Sequence, residues 1–547
     1  MSYRELISQA HTSNGVHAAD APYSFKSIAD ALLHHAAAQP DARFLVYYDE
    51  SGRREEYSYK QFAHTVASTI SLYRNNGIGS GDRIITAGHN HPDTIIQYVA
   101  AWCCGACVVP LNMTEDDNRL AYIMRHSAAK LIVARDEYSQ RINHVVPDGC
   151  RIIPVDAAYH ATLESLGGEL DSTPASMLDN EALIVYTSGT TGNPKGVVLV
   201  QRNLIADADG IIAWHSLKRG ETMMCVLPVH HVNGAIVTHV TPLIAGASVV
   251  LQRKFQPSTF FTRAAAERVN IISVVPTLLA YLLEAGADES GAKANGLRHI
   301  ICGAGPLSCE LARKFESRYS IPVLHGYGLS ETTCYSCFLE TNLTPDAHNT
   351  WMFDYGFPSI GTPIPQNEMA IHNDKGEPLG EGERGEIVIR GWNVMKEYYD
   401  NPAANESAFA YGWFRSGDEG FYKLSHDGKP YFFITGRIKE LIIRGGVNLA
   451  PLEIDEVLAA APGVKAAICV GFENEYYGEE IGALVISDGT ATEQGILDYC
   501  QSTLPFGKSP KIVVFTDELP VTSTGKYQRN KVKHLFAEWK NTQFKKH

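Results

Sequence analysis

The stretch from Val185 to Val198 reads V-Y-T-S-G-T-T-G-N-P-K-G-V-V. Its start, Leu183 to Tyr186, is apolar and predicts a short buried strand. Thr187, Ser188, Gly189, Thr190, Thr191 and Gly192 break that pattern. Asn193 and Pro194 then predict a turn before Lys195 and Gly196. Glycines let backbone N–H groups converge on one point, hydroxyls add donors, and Lys195 adds a mobile positive charge. Such a loop suits phosphate oxygens. It is not a Walker A loop, which needs Ser or Thr after its lysine, where this chain has Gly196. Composition alone also fits a plain surface loop.

At 547 residues the chain exceeds one ordinary domain and predicts a large layered body with a smaller unit. Apolar residues make up 45%, enough for extended cores. The net charge of −14 argues against a broad nucleic-acid footprint. No apolar run reaches the roughly 18 residues of a membrane span. The start, Met1 to Leu6, lacks the layout of a signal peptide. There are 11 cysteines. Cys103, Cys104 and Cys107 sit in an apolar segment. Cys334 and Cys337 have a C-x-x-C spacing, but no second pair completes a zinc set. Structural thiols in a reduced, cytoplasmic protein are expected.

Before the phosphate loop, short apolar strands alternate with amphipathic helices. Phe44 to Tyr48, Asp82 to Ala87, Ala106 to Leu111 and Lys130 to Ala134 read as strands, with helices at Phe25–Gln39, Tyr59–Asn76 and from Pro92. The rhythm predicts an open, largely parallel α/β sheet. It resumes after the loop, with strands at Met223–Pro228, Ala247–Leu251 and Ile271–Val275. Two α/β subdomains are expected, at about 1–180 and 181–359. From Ile360 the strands shorten and the turns become Gly-rich, which predicts a small antiparallel β unit over 360–438. Residues 439–547 read as a compact α+β unit.

Further motifs follow in order. Gly303-Ala304-Gly305 makes a tight strand-to-helix turn that lets a flat ring or carboxylate approach the backbone, though a plain turn explains it equally. In His325-Gly326-Tyr327-Gly328-Leu329-Ser330-Glu331-Thr332, a tyrosine between glycines is free to stack on a ring. Glu331 opens a helix, where a carboxylate makes sense near phosphates if a divalent metal bridges them. A helix N-terminal carboxylate favoured by the dipole is the alternative. Asp418 follows a turn, and Arg437 can pair with phosphate or ribose oxygens. Gly445, Gly446 and Asn448 lie in I-R-G-G-V-N, and Lys526 in T-S-T-G-K-Y-Q-R.

Taken together these strings resemble the adenylate-forming superfamily: acyl-CoA synthetases, luciferases and peptide-synthetase adenylation domains. The resemblance spans essentially the whole chain. It implies a large adenylation domain over 1–438, with a small β-barrel-like subdomain, and a mobile C-terminal lid hinged at Lys439. It implies that Thr187, Ser188, Thr190, Thr191 and Lys195 hold the β- and γ-phosphates of ATP. Tyr327 would stack on adenine, Glu331 contact Mg²⁺, Thr332 lie near the α-phosphate, and Asp418 take both ribose hydroxyls. His231, Asn233, Gly234, Ala304, His325 and Cys334 would wall the acid pocket. Lys526 would bridge the attacking carboxylate and the α-phosphate. Val200-Gln201-Arg202-Asn203 departs from the usual pattern, and packing behind the loop is expected of it.

The implied reaction is an AMP-forming acid:thiol ligation. A carboxylate attacks MgATP to give acyl-AMP and pyrophosphate. The lid then turns, removing Lys526 and presenting Gly445 and Gly446, and a thiol takes the acyl group. Coenzyme A is the expected thiol, since no carrier domain follows Lys526; a separate acyl carrier protein is the alternative. The mixed pocket residues suggest a small, aromatic or functionalised acid. A non-catalytic nucleotide sensor would have no use for Lys526.

Overall fold

The computed structural model describes residues 2–147, 149–171, 175–187, 193–521 and 527–545. Two large sheets form the body. In the first, of seven strands, Arg83–Ala87 runs parallel to Cys107–Pro110 on one side and Leu131–Arg135 on the other, with Arg151–Val155 beyond. The opposite edge turns antiparallel, where Glu181–Thr187 meets Lys195–Val200 and then the short strand Glu397–Tyr398. In the second, of nine strands, Val323–Tyr327, His299–Cys302, Ile271–Val274, Thr222–Cys225 and Ser248–Gln252 run parallel. These short strands are nearly continuous apolar runs because helices cover both faces.

The sheets do not divide at residue 180. Arg43–Tyr48 and Arg54–Ser58 extend the second sheet, whereas Glu181–Thr187 and Lys195–Val200 complete the first. Local periodicity marks a strand but not its neighbour, so this exchange is invisible in the sequence pattern. Helices Asp136–Val145, Ala157–Leu166 and Pro345–Phe353 add to those expected.

Helix Pro92–Cys103 is buried at all 12 positions, Asp93, Thr94 and Gln97 included. A helix buried all round belongs to a core rather than a surface. Trp102 at its end donates through Nε1 to the Ala182 carbonyl at 2.7 Å, fixing the strand that leads to the phosphate loop. Just before it, Asn90 donates to the Leu227 and Gln252 carbonyls at 3.0 Å each and accepts from Val229 N at 2.9 Å. One buried amide thereby welds the first sheet to the loop that carries His230 and His231. No helix among the described residues is long and apolar enough to cross a membrane.

The small β unit is a four-stranded antiparallel sheet: Asn367–His372, Gly385–Gly391, Phe414–Leu424 and Pro430–Arg437. Asp418 lies inside the third strand rather than at a turn, opposite Arg437 on the fourth.

The C-terminal unit has its own sheet and its own apolar cluster around Ile454, Leu458, Ile481 and Val485. It rests on the body through Glu456, on helix Pro451–Ala459. Both Glu456 oxygens accept from Cys309 N, at 2.9 and 3.2 Å. Cys309 begins helix Cys309–Tyr319, where the peptide dipoles favour a carboxylate. Burial pushes the Glu456 carboxyl up to about 8.

Helix Gln201–His215 carries Asp207, which is completely buried. Its Oδ1 accepts from Asn393 Nδ2 at 3.0 Å and Tyr335 N at 3.2 Å, while Oδ2 has no partner among the described residues. Burial raises this carboxyl to about 7. The unfolded chain binds that proton with a pKa near 3.9, so the folded state holds it more tightly. Stability from this group is therefore full below about pH 4 and drains away up to about pH 7. Asp207→Asn mimics the protonated side chain. The melting-temperature difference between variant and wild type should rise in the variant's favour across that window and level off above it. A difference independent of pH would refute the assignment.

Candidate active site

The expected nucleotide residues gather in two clusters. In the first, register places Asp418 across from Arg437, and strand Val323–Tyr327 brings Tyr327 alongside. Tyr327 Oη donates to Asp418 Oδ2 at 2.6 Å, and Arg437 Nε lies 2.8 Å from Oδ1. That second contact is an ion pair without hydrogen-bond alignment, so buried Oδ1 has no hydrogen-bond donor among the described residues. Asp418 is 1% exposed, and a carboxylate oxygen so deeply buried needs donors. Two vicinal hydroxyls would supply them. Burial, followed by the Asp418 charge, holds the Tyr327 phenol well above its ordinary range, so it stays a donor.

In the second cluster, Lys195 begins a strand whose partner ends at Thr187 directly opposite. The two strands form the stem around the stretch expected to hold phosphate. The expected residues Ser188, Gly189, Thr190, Thr191 and Gly192 lie outside the described residues, as does Lys526. Lys195 Nζ stands 4.6 Å above the ring of Tyr398, whose hydroxyl donates to Glu331 Oε1 at 2.8 Å. Among the described residues no basic side chain forms an ion pair with Glu331 and no set of three or more metal ligands occurs. Arg437 feels the Glu331 charge but forms its ion pair with Asp418, so Glu331 suits a divalent cation that takes its other ligands from phosphate and water.

Thr332 does not match its expected place. It is fully buried, and its hydroxyl turns back on its own short helix, accepting from Leu329 N at 3.0 Å and facing the Leu329 carbonyl at 3.3 Å. Ser330, half-buried on the other side of Glu331, offers the accessible hydroxyl. Gly328 is a glycine by necessity, since a Cβ there would meet the Cys334 carbonyl at 1.8 Å.

The residues expected to wall the acid pocket lie around the ends of the second sheet. Asn233 is 6% exposed and opens the π-helix Asn233–Val240. It donates to Tyr335 Oη at 3.2 Å and accepts from Ser273 Oγ at 2.9 Å. The Tyr335 hydroxyl abuts Gly303, where a Cβ would stand 2.7 Å from it. Ala304 next to it holds φ +64°, and Gly305 completes the turn. Gly234 backs onto the Pro228 carbonyl. His231 and His230 pack with ring centroids 4.4 Å apart. Buried His325 shares a hydrogen bond with the Ser359 carbonyl at 3.1 Å. Burial lowers both His230 and His325 to about 4, so neither offers positive charge to a carboxylate near neutral pH. Cys334 is buried between Thr333 and Tyr335.

The remaining expected residues lie on the C-terminal unit and its junction. Gly445 and Gly446 form the two-residue turn between Ile442–Arg444 and Val447–Leu449, both at positive φ as such hairpins require. They and Asn448 are exposed. Lys439 lies exposed in the single turn Ile438–Glu440. A hollow of about 560 Å³ at Arg43, Glu221, Glu267 and Arg268 is unrelated to any of this; Arg43 there is committed to Glu267 at 2.6 Å.

Sequence reading missed the segment that ties both clusters together, residues 391–399. Asn203 Nδ2 holds the Trp392 and Val394 carbonyls at 2.8 and 2.9 Å. Met395 N donates to the Glu331 carbonyl at 2.7 Å, Lys396 N to Val198 O at 2.9 Å and Tyr399 N to Gly196 O at 2.7 Å. Gln201 is equally committed, to Trp102 O at 2.8 Å and Ile28 N at 2.9 Å. The departure at Val200–Asn203 therefore does more than pack behind the loop: Asn203 anchors this segment. The one available signal was a tyrosine pair, Tyr398-Tyr399, in an otherwise polar turn.

The profile of the family described as AMP-binding enzyme matches residues 32–399, and that of the AMP-binding enzyme C-terminal domain matches residues 453–526. The chain is 33% identical over 519 residues to a sulfoacetate–CoA ligase of Cupriavidus necator, covering 93% of this chain and 98% of that one. It is 33% identical over 485 residues to an oxalate–CoA ligase of Arabidopsis thaliana, covering 85% and 91%. Among solved structures, the o-succinylbenzoate CoA synthetase of Bacillus subtilis with its acyl-adenylate intermediate superposes with a TM-score of 0.79. It is 26% identical, with 92% of this chain and 97% of that one covered.

The two hydroxyls beside Glu331 should separate by experiment. Thr332→Ala removes a turn-capping bond and should cost about 1 kcal/mol of stability while leaving MgATP affinity near wild type. Ser330→Ala should do the reverse, weakening MgATP binding several-fold at unchanged melting temperature. Calorimetric titration beside thermal melts reads both, and the opposite pattern would restore the phosphate role to Thr332.

Proposed function

We propose that this chain, which belongs to the AMP-binding enzyme family, is an ATP-dependent carboxylic acid:CoA ligase that works through an acyl-adenylate. The observation that carries this reading is the buried Asp418, with one oxygen lacking a hydrogen-bond donor among the described residues, beside Tyr327. It is a ribose site waiting for two hydroxyls, with an aromatic ring at hand for the base.

The first half-reaction joins a substrate carboxylate oxygen to the α-phosphorus of ATP and breaks the bond to the β-phosphate oxygen, releasing pyrophosphate. A carboxylate is ionised near neutral pH and needs no general base. The task is to align two anions and offset their charge. Lys195 and the hairpin tip would hold the β- and γ-phosphates, Asp418 the ribose, and Ser330 the α-phosphate side. Glu331 would hold Mg²⁺, which when bound neutralises phosphate charge. Lys526 would bridge carboxylate and α-phosphate at the moment of attack. In the second half, a turn at Lys439 would withdraw Lys526 and present the Gly445–Gly446 hairpin. The thiol sulfur of CoA then bonds to the acyl carbon, its proton leaves to solvent, and AMP departs.

The acid we infer is small, aromatic or functionalised rather than a long alkyl chain. The hydrogen-bonded trio Ser273, Asn233 and Tyr335 supports this, since a long alkyl tail wants apolar walls. Relatives named for sulfoacetate and oxalate support it as well. Among the described residues none of the 11 cysteines forms a disulfide, which agrees with a reducing, cytoplasmic setting.

Formation of AMP and pyrophosphate from MgATP should be followed across a panel of carboxylic acids, with and without CoA. Acid- and CoA-dependent AMP release with thioester is expected, and Lys526→Ala should slow adenylation by about 100-fold or more. Pyrophosphate exchange without thioester would move the acceptor to a separate carrier protein. ATP binding with no acid-dependent turnover would leave a nucleotide sensor.

A further inference from the structure

Lys195 and Glu331 carry opposite charges and meet one tyrosine at different points, the ring face and the hydroxyl. Tyr398 is 6% exposed, and its ring lies 4.6 Å beneath the Lys195 ammonium while its hydroxyl holds Glu331 Oε1 at 2.8 Å. Neither charge is spent on the other: no ion pair joins Lys195 and Glu331. An exposed lysine stem is long and flexible, and a carboxylate without an ion pair among the described residues is a natural partner for it. The phenol engages each of them separately. Its own position is over-determined. The strand Glu397–Tyr398 pairs with the lysine's strand in the register Val197 to Tyr398. Asn405 clamps the tyrosine backbone from both sides, accepting from Tyr398 N at 2.7 Å and donating to Tyr398 O at 3.0 Å. A phenol keeps its proton near neutral pH, so it remains a neutral donor.

We propose that Tyr398 is a positioning residue that keeps the site's cation and anion apart, its ring face engaging Lys195 while its hydroxyl holds Glu331. The inference rests on the roles proposed above for Lys195 and Glu331. A neutral donor is the group required here. It orients the carboxylate without neutralising it, and the ring face attracts the ammonium without satisfying its hydrogen bonds. Both charges then stay available, one for phosphate oxygens and the other for the metal. With a small residue at 398, Lys195 and Glu331 would close on each other as a salt bridge, and the empty site would neutralise itself.

The test measures ATP binding by calorimetry in EDTA, so that Glu331 has no metal and Lys195 acts alone. Wild type, Tyr398→Phe, Tyr398→Ala, Glu331→Gln and the double variant Tyr398→Ala/Glu331→Gln are compared, with melting temperatures beside them. Tyr398→Phe keeps the spacer and should bind metal-free ATP within about twofold of wild type, yet need several-fold more Mg²⁺ for half-maximal pyrophosphate exchange. Tyr398→Ala should bind metal-free ATP about tenfold more weakly, because ATP must first break the new salt bridge. Adding Glu331→Gln to Tyr398→Ala should recover most of that loss, a coupling that a merely structural role would not produce. Wild-type affinity in Tyr398→Ala, or a loss that Glu331→Gln does not recover, overturns the proposal. Should wild type itself bind no ATP, the reading of the whole site fails instead.

Discussion

Residues 391–399 form a ribbon that makes almost no structure of its own, and the site depends on where its backbone polar groups find partners. Buried N–H and C=O groups must be satisfied somewhere. Here Glu331 O, Gly196 O and Val198 O take the donors, and Asn203 takes two carbonyls. From the far side His11 Nε2 shares a hydrogen bond with Met395 O at 2.9 Å, held there by a helix at the start of the chain. Asn393 adds a side-chain junction: it donates to Asp207 and to Tyr335 O and accepts from Asn367 at 2.6 Å. The contacts reach the strand Lys195–Val200, the helix Gln201–His215, the Glu331 turn and the N-terminal helix. The phosphate hairpin, the Glu331 turn and the pocket wall keep one mutual geometry because all three hang from this ribbon.

Beneath the ribbon the two sheets are joined before any ligand arrives. Asn90 crosses from the first sheet to the loop carrying His230 and His231 with three hydrogen bonds. Trp102 pins the strand leading to the hairpin. Groups that must meet a substrate within a fraction of an ångström are set by buried amides and an indole, whose bonds in a low-dielectric core are costly to break.

How far this was legible from sequence divides along physical lines. Strands such as Ile84–Ala87 announce themselves because apolar runs bounded by glycine and proline have few alternatives. The hairpin stem announces itself because an apolar run gives way abruptly to small residues, a proline and a lysine. Pairing between distant segments leaves no such mark. Arg43–Tyr48 reads as a strand, yet nothing local says that its neighbour is Ser248–Gln252. Asp418 looks like a turn residue until Arg437 and Tyr327 stand beside it. Thr332 and Ser330 are equivalent hydroxyls on paper and differ only once burial turns one of them inward. Tyr398 was silent for the same reason: its meaning lies in contacts to residues 67 and about two hundred positions away, at Glu331 and Lys195.

The Glu456 side chain on the Cys309 amide gives the small C-terminal unit a seat on the body. If that unit turns during each cycle, the seat must be vacated and reoccupied every time. A buried acid leaving a helix end has to pick up water as it goes, so the departure is an activated event rather than free drift. The strength of this one contact would then set how readily the unit lifts from the body, and a tighter seat would hold it down longer.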